Sequence, residues 1–134
     1  MQNYVVPTIR ALLEINRGHG DKAIELLQLS LALELASSDY IAMQSTYVRG
    51  LACLQPGKGR EAAAEFQKII DHRGLVGNYV IGALDYLQLA RSEVMSGDPA
   101  AARIHYQDFL ALWKAADPNV PILKQAKAEY ARLT

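Results

Sequence analysis

The chain has 134 residues, enough for one domain or a short repeat array and too few for two ordinary domains. Its 14 Lys+Arg balance 14 Asp+Glu, which argues against a nucleic-acid partner, and its 51% hydrophobic content excludes a disordered tail. No apolar run approaches the roughly 18 residues of a membrane span, MQNYVVPTIR is no signal peptide, and a lone Cys fits a reducing, cytoplasmic setting.

The low aromatic share, 7%, and the many Ala and Leu favour helices over sheet. Apolar spacing predicts helices at about 5–17, 21–36, 39–54, 59–71, 79–96, 99–115 and 120–133. On the first, Val5, Val6, Ile9, Ala11, Leu12, Leu13 and Ile15 cover an arc of about 220° at about 100° per residue. A helix buried on one side needs little more than about 100°. The extra width predicts that Val5, Ile9 and Leu12 join a second copy in a homodimer, unless Met1–Val5 folds back over them. Gly18 then suits the left-handed position that ends a helix, as do Gly57 and Gly97. After each of these glycines comes an apolar stripe. It is Ala23, Leu27, Ser30 and Leu31, then Ala62, Phe66, Ile69 and Ile70, then Ala102, Tyr106, Phe109 and Leu110. HRGLVGN (72–78) interrupts any helical period. Asp98 and Pro99 read as an N-cap with Pro at the first helical position. Asp117-Pro118-Asn119-Val120-Pro121 is a second sharp stop. The last helix has Ile122, Leu123, Ala126, Tyr130 and Leu133 on one face and Lys and Arg on the other, the pattern of a cap.

Three segments align without gaps: LLEINRGHGDKAIELLQLSL, LACLQPGKGREAAAEFQKII and RSEVMSGDPAAARIHYQDFL. From Ala23 to Ala62 is 39 residues and on to Ala102 a further 40. In each copy the small Ala lets two helices approach, and the large residue four positions later fills the space beside it. The expected fold is therefore all-α, one domain of three helical hairpins (about 5–36, 39–71 and 79–115) plus a capping helix at about 120–133.

This unit resembles the tetratricopeptide repeat, whose landmarks are matched by Gly50, Gly57, Ala62 and Phe66 and by Leu89, Ala90, Gly97, Ala102 and Tyr106. Arg49 stands where that repeat has Leu, Cys53 and Glu93 where it has Tyr, and Pro7 at its Trp landmark. The resemblance implies an α-solenoid with a concave groove that takes a protein or peptide partner. The stretch from EAAAEFQKIIDHRG to ILKQAKAEYARL also resembles the C-terminal repeat region of large bacterial signalling proteins, notably acidobacterial ones, beside a Ser/Thr kinase or winged-helix domain. Kinase motifs are missing here, so the resemblance implies a docking region and not an enzyme.

On the matched landmarks, the groove candidates are Gln44, Tyr47, Val48, Leu51 and Leu54 in the second copy and Leu84, Leu87, Gln88, Arg91 and Val94 in the third. Of these, Gln44, Tyr47, Leu51, Leu87, Gln88 and Arg91 are the expected contacts. The family's carboxylate-gripping Lys, Asn and Arg are replaced by Thr8, Leu12, Val48, Leu84 and Gln88, which suits an apolar helix or extended peptide. The alternative is a groove packed by a neighbouring repeat or by the C-terminal helix. Gly57-Lys58-Gly59-Arg60-Glu61-Ala62 has the letters of a dinucleotide loop but no strand before it. His19, His72 and His105 share no ligand spacing, so neither metal nor other cofactor is expected. Cys53 reads as a packed thiol, His72 as a helix-end base near carbonyls, and His105 as exposed.

Overall fold

The computed structural model describes residues 5–33, 40–76 and 80–133, and every regular element among them is helical. In chain order these are α1 (Val5–Asn16), α2 (Gly20–Leu27) with a 3₁₀ continuation (Gln28–Leu33), α3 (Tyr40–Leu54), α4 (Gly59–Asp71) and the single turn α5 (Arg73–Val76). Then follow α6 (Ile81–Ser96), α7 (Pro99–Leu112) and α8 (Pro121–Ala131). Helices α1 and α2, α3 and α4, and α6 and α7 pack as pairs. Both α1 and α2 also touch α3, while α6 touches α4 and α3, and α7 touches α8.

Each pair turns on one device. Gly18, Gly57 and Gly97 have φ of +81°, +80° and +86°, a region where a side chain is strained. The amides of the glycine and of the residue after it reach back three and five residues: Gly18 to Ile15 and His19 to Glu14, Gly57 to Leu54 and Lys58 to Cys53, Gly97 to Val94 and Asp98 to Glu93. These bonds satisfy carbonyls that the helix end would otherwise orphan. The residue after the glycine then accepts from the landmark alanine, Ala23, Ala62 or Ala102, opening the next helix. In the third copy Asp98 also caps it, its carboxylate accepting from the Ala101 amide at 3.0 Å.

Inside each pair a small residue of the first helix faces the large one of the second. Ala11, Ala23 and Leu27 are fully buried together, as are Ala90, Ala102 and Tyr106. In the middle pair the fit is tightest, because a Cβ on Gly50 would lie 2.5–2.9 Å from the Phe66 ring. Between pairs, a second glycine matters. A Cβ on Gly20 would lie 2.6 Å from the Ala52 carbonyl oxygen, and one on Gly59 would lie 2.9 Å from that of Ser92. The turns Gly18-His19-Gly20 and Gly57-Lys58-Gly59 thus let the end of the next pair's first helix rest on backbone. In the third turn the matching residue is Pro99, and a cavity of about 330 Å³ separates it from Leu133, lined also by Ala100 and Arg103.

Two expectations change. The helix expected over 21–36 is α-helical only to Leu27, and residues 34–36 lie outside the described residues. The Leu27 carbonyl, which a continuing helix would use, accepts instead from Arg49 Nη2 at 2.9 Å and Ser30 Oγ at 2.7 Å. Arg49 also donates to Glu65 at 3.1 Å, and Ser30 bonds Ser45 at 2.6 Å, so this knot ties the first two pairs together. Secondly, the break at 72–78 contains the helical turn α5, with 77–79 outside the described residues.

Removing the Phe66 ring by Phe66→Ala is expected to cost about 3–5 kcal/mol through cavity formation, measured by urea unfolding. Gly59→Ala should cost about 1–3 kcal/mol, since its methyl meets backbone that cannot rotate away. An unchanged midpoint for Gly59→Ala would mean that the two pairs do not dock so closely.

Candidate partner-binding surface

Three of the expected groove residues, Tyr47, Gln88 and Arg91, lie on a polar line that crosses four helices. Tyr47 of α3 packs edge-on against Phe66, ring centroids 5.6 Å apart, and its hydroxyl accepts from Gln88 Nε2 of α6 at 3.3 Å. One turn on, Arg91 Nη1 donates to Gln88 Oε1 at 3.4 Å. Its Nε and Nη2 grip both oxygens of Glu129 on α8 at 2.9 and 2.8 Å, a bidentate ion pair. Tyr106 of α7 completes the line, donating to Glu129 Oε2 at 2.8 Å.

This geometry revises several placements. Leu87 does not line a groove. It is fully buried with Ala90, Ala102, Tyr106, Phe109, Leu123 and Ala126, because α8 packs over it. The same register position on the other first helices also points inward, as Thr8 and Tyr47. Gln88 is only 7% exposed, and Arg91 is committed to Glu129. Gln44, Leu51, Leu54 and Leu84 are half-buried, and Val94 is 43% exposed. Beside the Arg91–Glu129 pair lies a cleft of about 300 Å³, lined by Arg91, Val94, Tyr106, Glu129, Arg132 and Leu133. On α1, Val5 is half-buried while Ile9 and Leu12 are exposed. Residues 1–4, named as a cover for them, lie outside the described residues.

The electrostatics follow from this packing. Burial works against charge on both Arg91 and Glu129, yet their mutual hydrogen bonds prevail, raising the one pKa and lowering the other. Burial, aided by the Glu129 charge, pushes the Tyr106 hydroxyl well above its ordinary range. Tyr47 is raised too, chiefly by burial and further by Asp85. Asp85 on α6 is fully buried, neither oxygen has a hydrogen-bond partner, and burial lifts its carboxyl to about 8.

The histidines are dispersed. His19 lies 2.8 Å from Glu14, whose carboxyl this bond, with help from Lys22 and Arg17, holds below its ordinary value. His72 meets the Lys68 carbonyl at 2.7 Å, as a helix-end imidazole should. His105, expected to be exposed, faces Glu93 of α6 at 2.8 Å and is half-buried. Cys53 is 4% exposed and burial raises its thiol, so it is poorly reactive. Among the described residues no three His, Cys, Asp or Glu gather as metal ligands, and no helix is long and apolar enough to cross a membrane.

Sequence reasoning missed Glu129 and Asp85, and the polar contacts of Tyr106 and Arg49. Glu129 had a signal, as the one acid in PILKQAKAEYA among basic residues. No family model matches the chain, and no similar curated protein or solved structure was found.

Asp85 generates a pH prediction. Its folded pKa of about 8 exceeds the ordinary 3.8, so the folded chain holds one proton more than the unfolded chain between those values. Stability from this group is therefore fully present below about pH 4 and declines as pH rises towards 8. At about 1.4 kcal/mol per unit the loss by pH 7 is on the order of 4 kcal/mol. Asp85→Asn should flatten this slope, so that its urea midpoint gains on the parent chain between pH 5 and 8. Parallel pH profiles for the two proteins would refute the assignment.

Proposed function

We propose that the chain is a tetratricopeptide-like α-solenoid, three hairpins closed by a capping helix, that binds a protein or peptide along its concave face. It serves as a non-catalytic docking region of a bacterial signalling protein in the cytoplasm. The observation that carries this reading is one register position on three successive first helices. Leu12, Leu51 and Arg91 occupy it on α1, α3 and α6, and each keeps access to solvent. Repeats stacked in this way present such positions side by side as an extended surface. Its chemistry is apolar on α1 and α3 and polar on α6, where the Arg91–Glu129 ion pair lies beside the exposed Val94. An extended or helical segment with aliphatic side chains and one polar end matches that gradient.

The test must avoid residues that hold the fold. Tyr47 supports Phe66 and Arg91 holds α8, so truncating either would confound binding with stability. Gln44→Ala with Val94→Asp alters the surface without touching those contacts. Against a partner captured with the parent chain, the double variant should bind more than tenfold more weakly at an unchanged melting temperature, measured by titration calorimetry. Unaltered affinity would move the site to the convex face or a loop.

A further inference from the structure

Where α8 meets the third pair, the cleft of about 300 Å³ has a chemistry that its own residues leave unfinished. Helix α8 takes the place on that pair that α6 takes on the second. Tyr130 lies against Tyr106, ring centroids 6.2 Å apart, as Leu89 clusters with Phe66. Arg91 and Val94 line the cleft from α6, Tyr106 from α7, and Glu129, Arg132 and Leu133 from α8 or just beyond it. The opening is therefore bounded by three helices. It lies at the end of the row Leu12, Leu51 and Arg91, and not along it.

Its charges do not balance. Glu129, the one acid on its wall, accepts from Arg91 at 2.9 and 2.8 Å and from the Tyr106 hydroxyl at 2.8 Å. Arg91 and Glu129 thus neutralise and fix each other. Arg132 acts on Glu129 only through space, and among the described residues its side chain has no hydrogen bond or ion pair. One positive charge is left over at the exposed rim, and a guanidinium cannot shed it. Its fork of donors matches a carboxylate. The remaining wall is aliphatic, with Val94 43% exposed and Leu133 half-buried. A volume of about 300 Å³ stands at the small end of ligand sites and suits a short chain better than a fused ring system. A bare anion such as phosphate would meet the charge and leave the aliphatic wall uncovered, whereas an alkyl acid meets both.

We infer that this cleft binds a small aliphatic carboxylate, its acid group on Arg132 and its chain against Val94 and Leu133. Such binding does not depend on a partner along the concave face, so each can fail alone.

Octanoate titrated into the isotope-labelled chain should shift the amide resonances of Val94, Arg132 and Leu133 saturably. A Kd on the order of a millimolar or tighter is expected for a ligand of about ten heavy atoms in an open cleft. Octanamide, alike in shape and uncharged, should bind at least about tenfold more weakly, and so should inorganic phosphate. Arg132→Gln should weaken octanoate at least about fivefold at an unchanged melting temperature, whereas Arg10→Gln on α1 should leave binding unaltered. The absence of saturable shifts, or shifts that cluster elsewhere, overturns the proposal. So does octanamide or phosphate binding as well as octanoate, or octanoate binding indifferent to Arg132→Gln. If octanoate binds only once Thr134 is removed, that residue is the occupant and the proposal also fails.

Discussion

A glycine at positive φ closes each hairpin, and the regularity of the rest depends on that turn. Because Gly18, Gly57 and Gly97 adopt nearly the same dihedral and the same pair of backbone bonds, each second helix leaves its turn in the same direction. The landmark alanine then falls one turn into that helix every time, and it or the large residue after it packs on Ala11, Gly50 or Ala90. Repetition of one local geometry thus produces repetition of the contact, without any long-range template. A side chain at any of these glycines would carry about 1–2 kcal/mol of backbone strain before any contact changed.

The interior is divided accordingly. Large apolar side chains cluster within pairs, under α8 and across the seams, where Val48 of α3 joins Leu27 and Leu89 of α6 joins Phe66, and the seams add small residues, backbone contact and a few polar bonds. The Arg49–Glu65–Leu27 knot and the Ser30–Ser45 bond hold the first seam. Such partition makes stability a sum of neighbour terms, with no single central core. It also explains how a charged residue sits in the interior: Arg49 reaches across the seam, with 3% of its surface exposed, and finishes the first pair.

Helix positions and turns were legible because their causes are local. Glycine spacing, the Asp98-Pro99 cap and the 117–121 stop each act within a few residues, and all appear where expected. The end of α2 was not legible, since the group that takes the Leu27 carbonyl lies 22 residues away on α3. Leu87 was misplaced for a related reason. Register assigns a residue to a helix face, but whether that face meets solvent depends on where α8 lies, and α8 is placed by Glu129, Leu123 and Ala126 together. Of the second glycines, Gly59 was visible only as a letter of a false dinucleotide loop and Gly20 drew no reading. Their purpose, contact with the next pair, needed coordinates.

Pro99 has a consequence for how such a chain could lengthen. Gly20 and Gly59 admit the end of a following helix against bare backbone, and a pyrrolidine ring at that place does not. Duplicating the third unit in tandem would therefore leave a misfitting joint, whereas the second unit carries the glycine that admits a following helix. Growth of the array is permitted from within and obstructed at the third turn, so a single ring acts as a stop on modular extension.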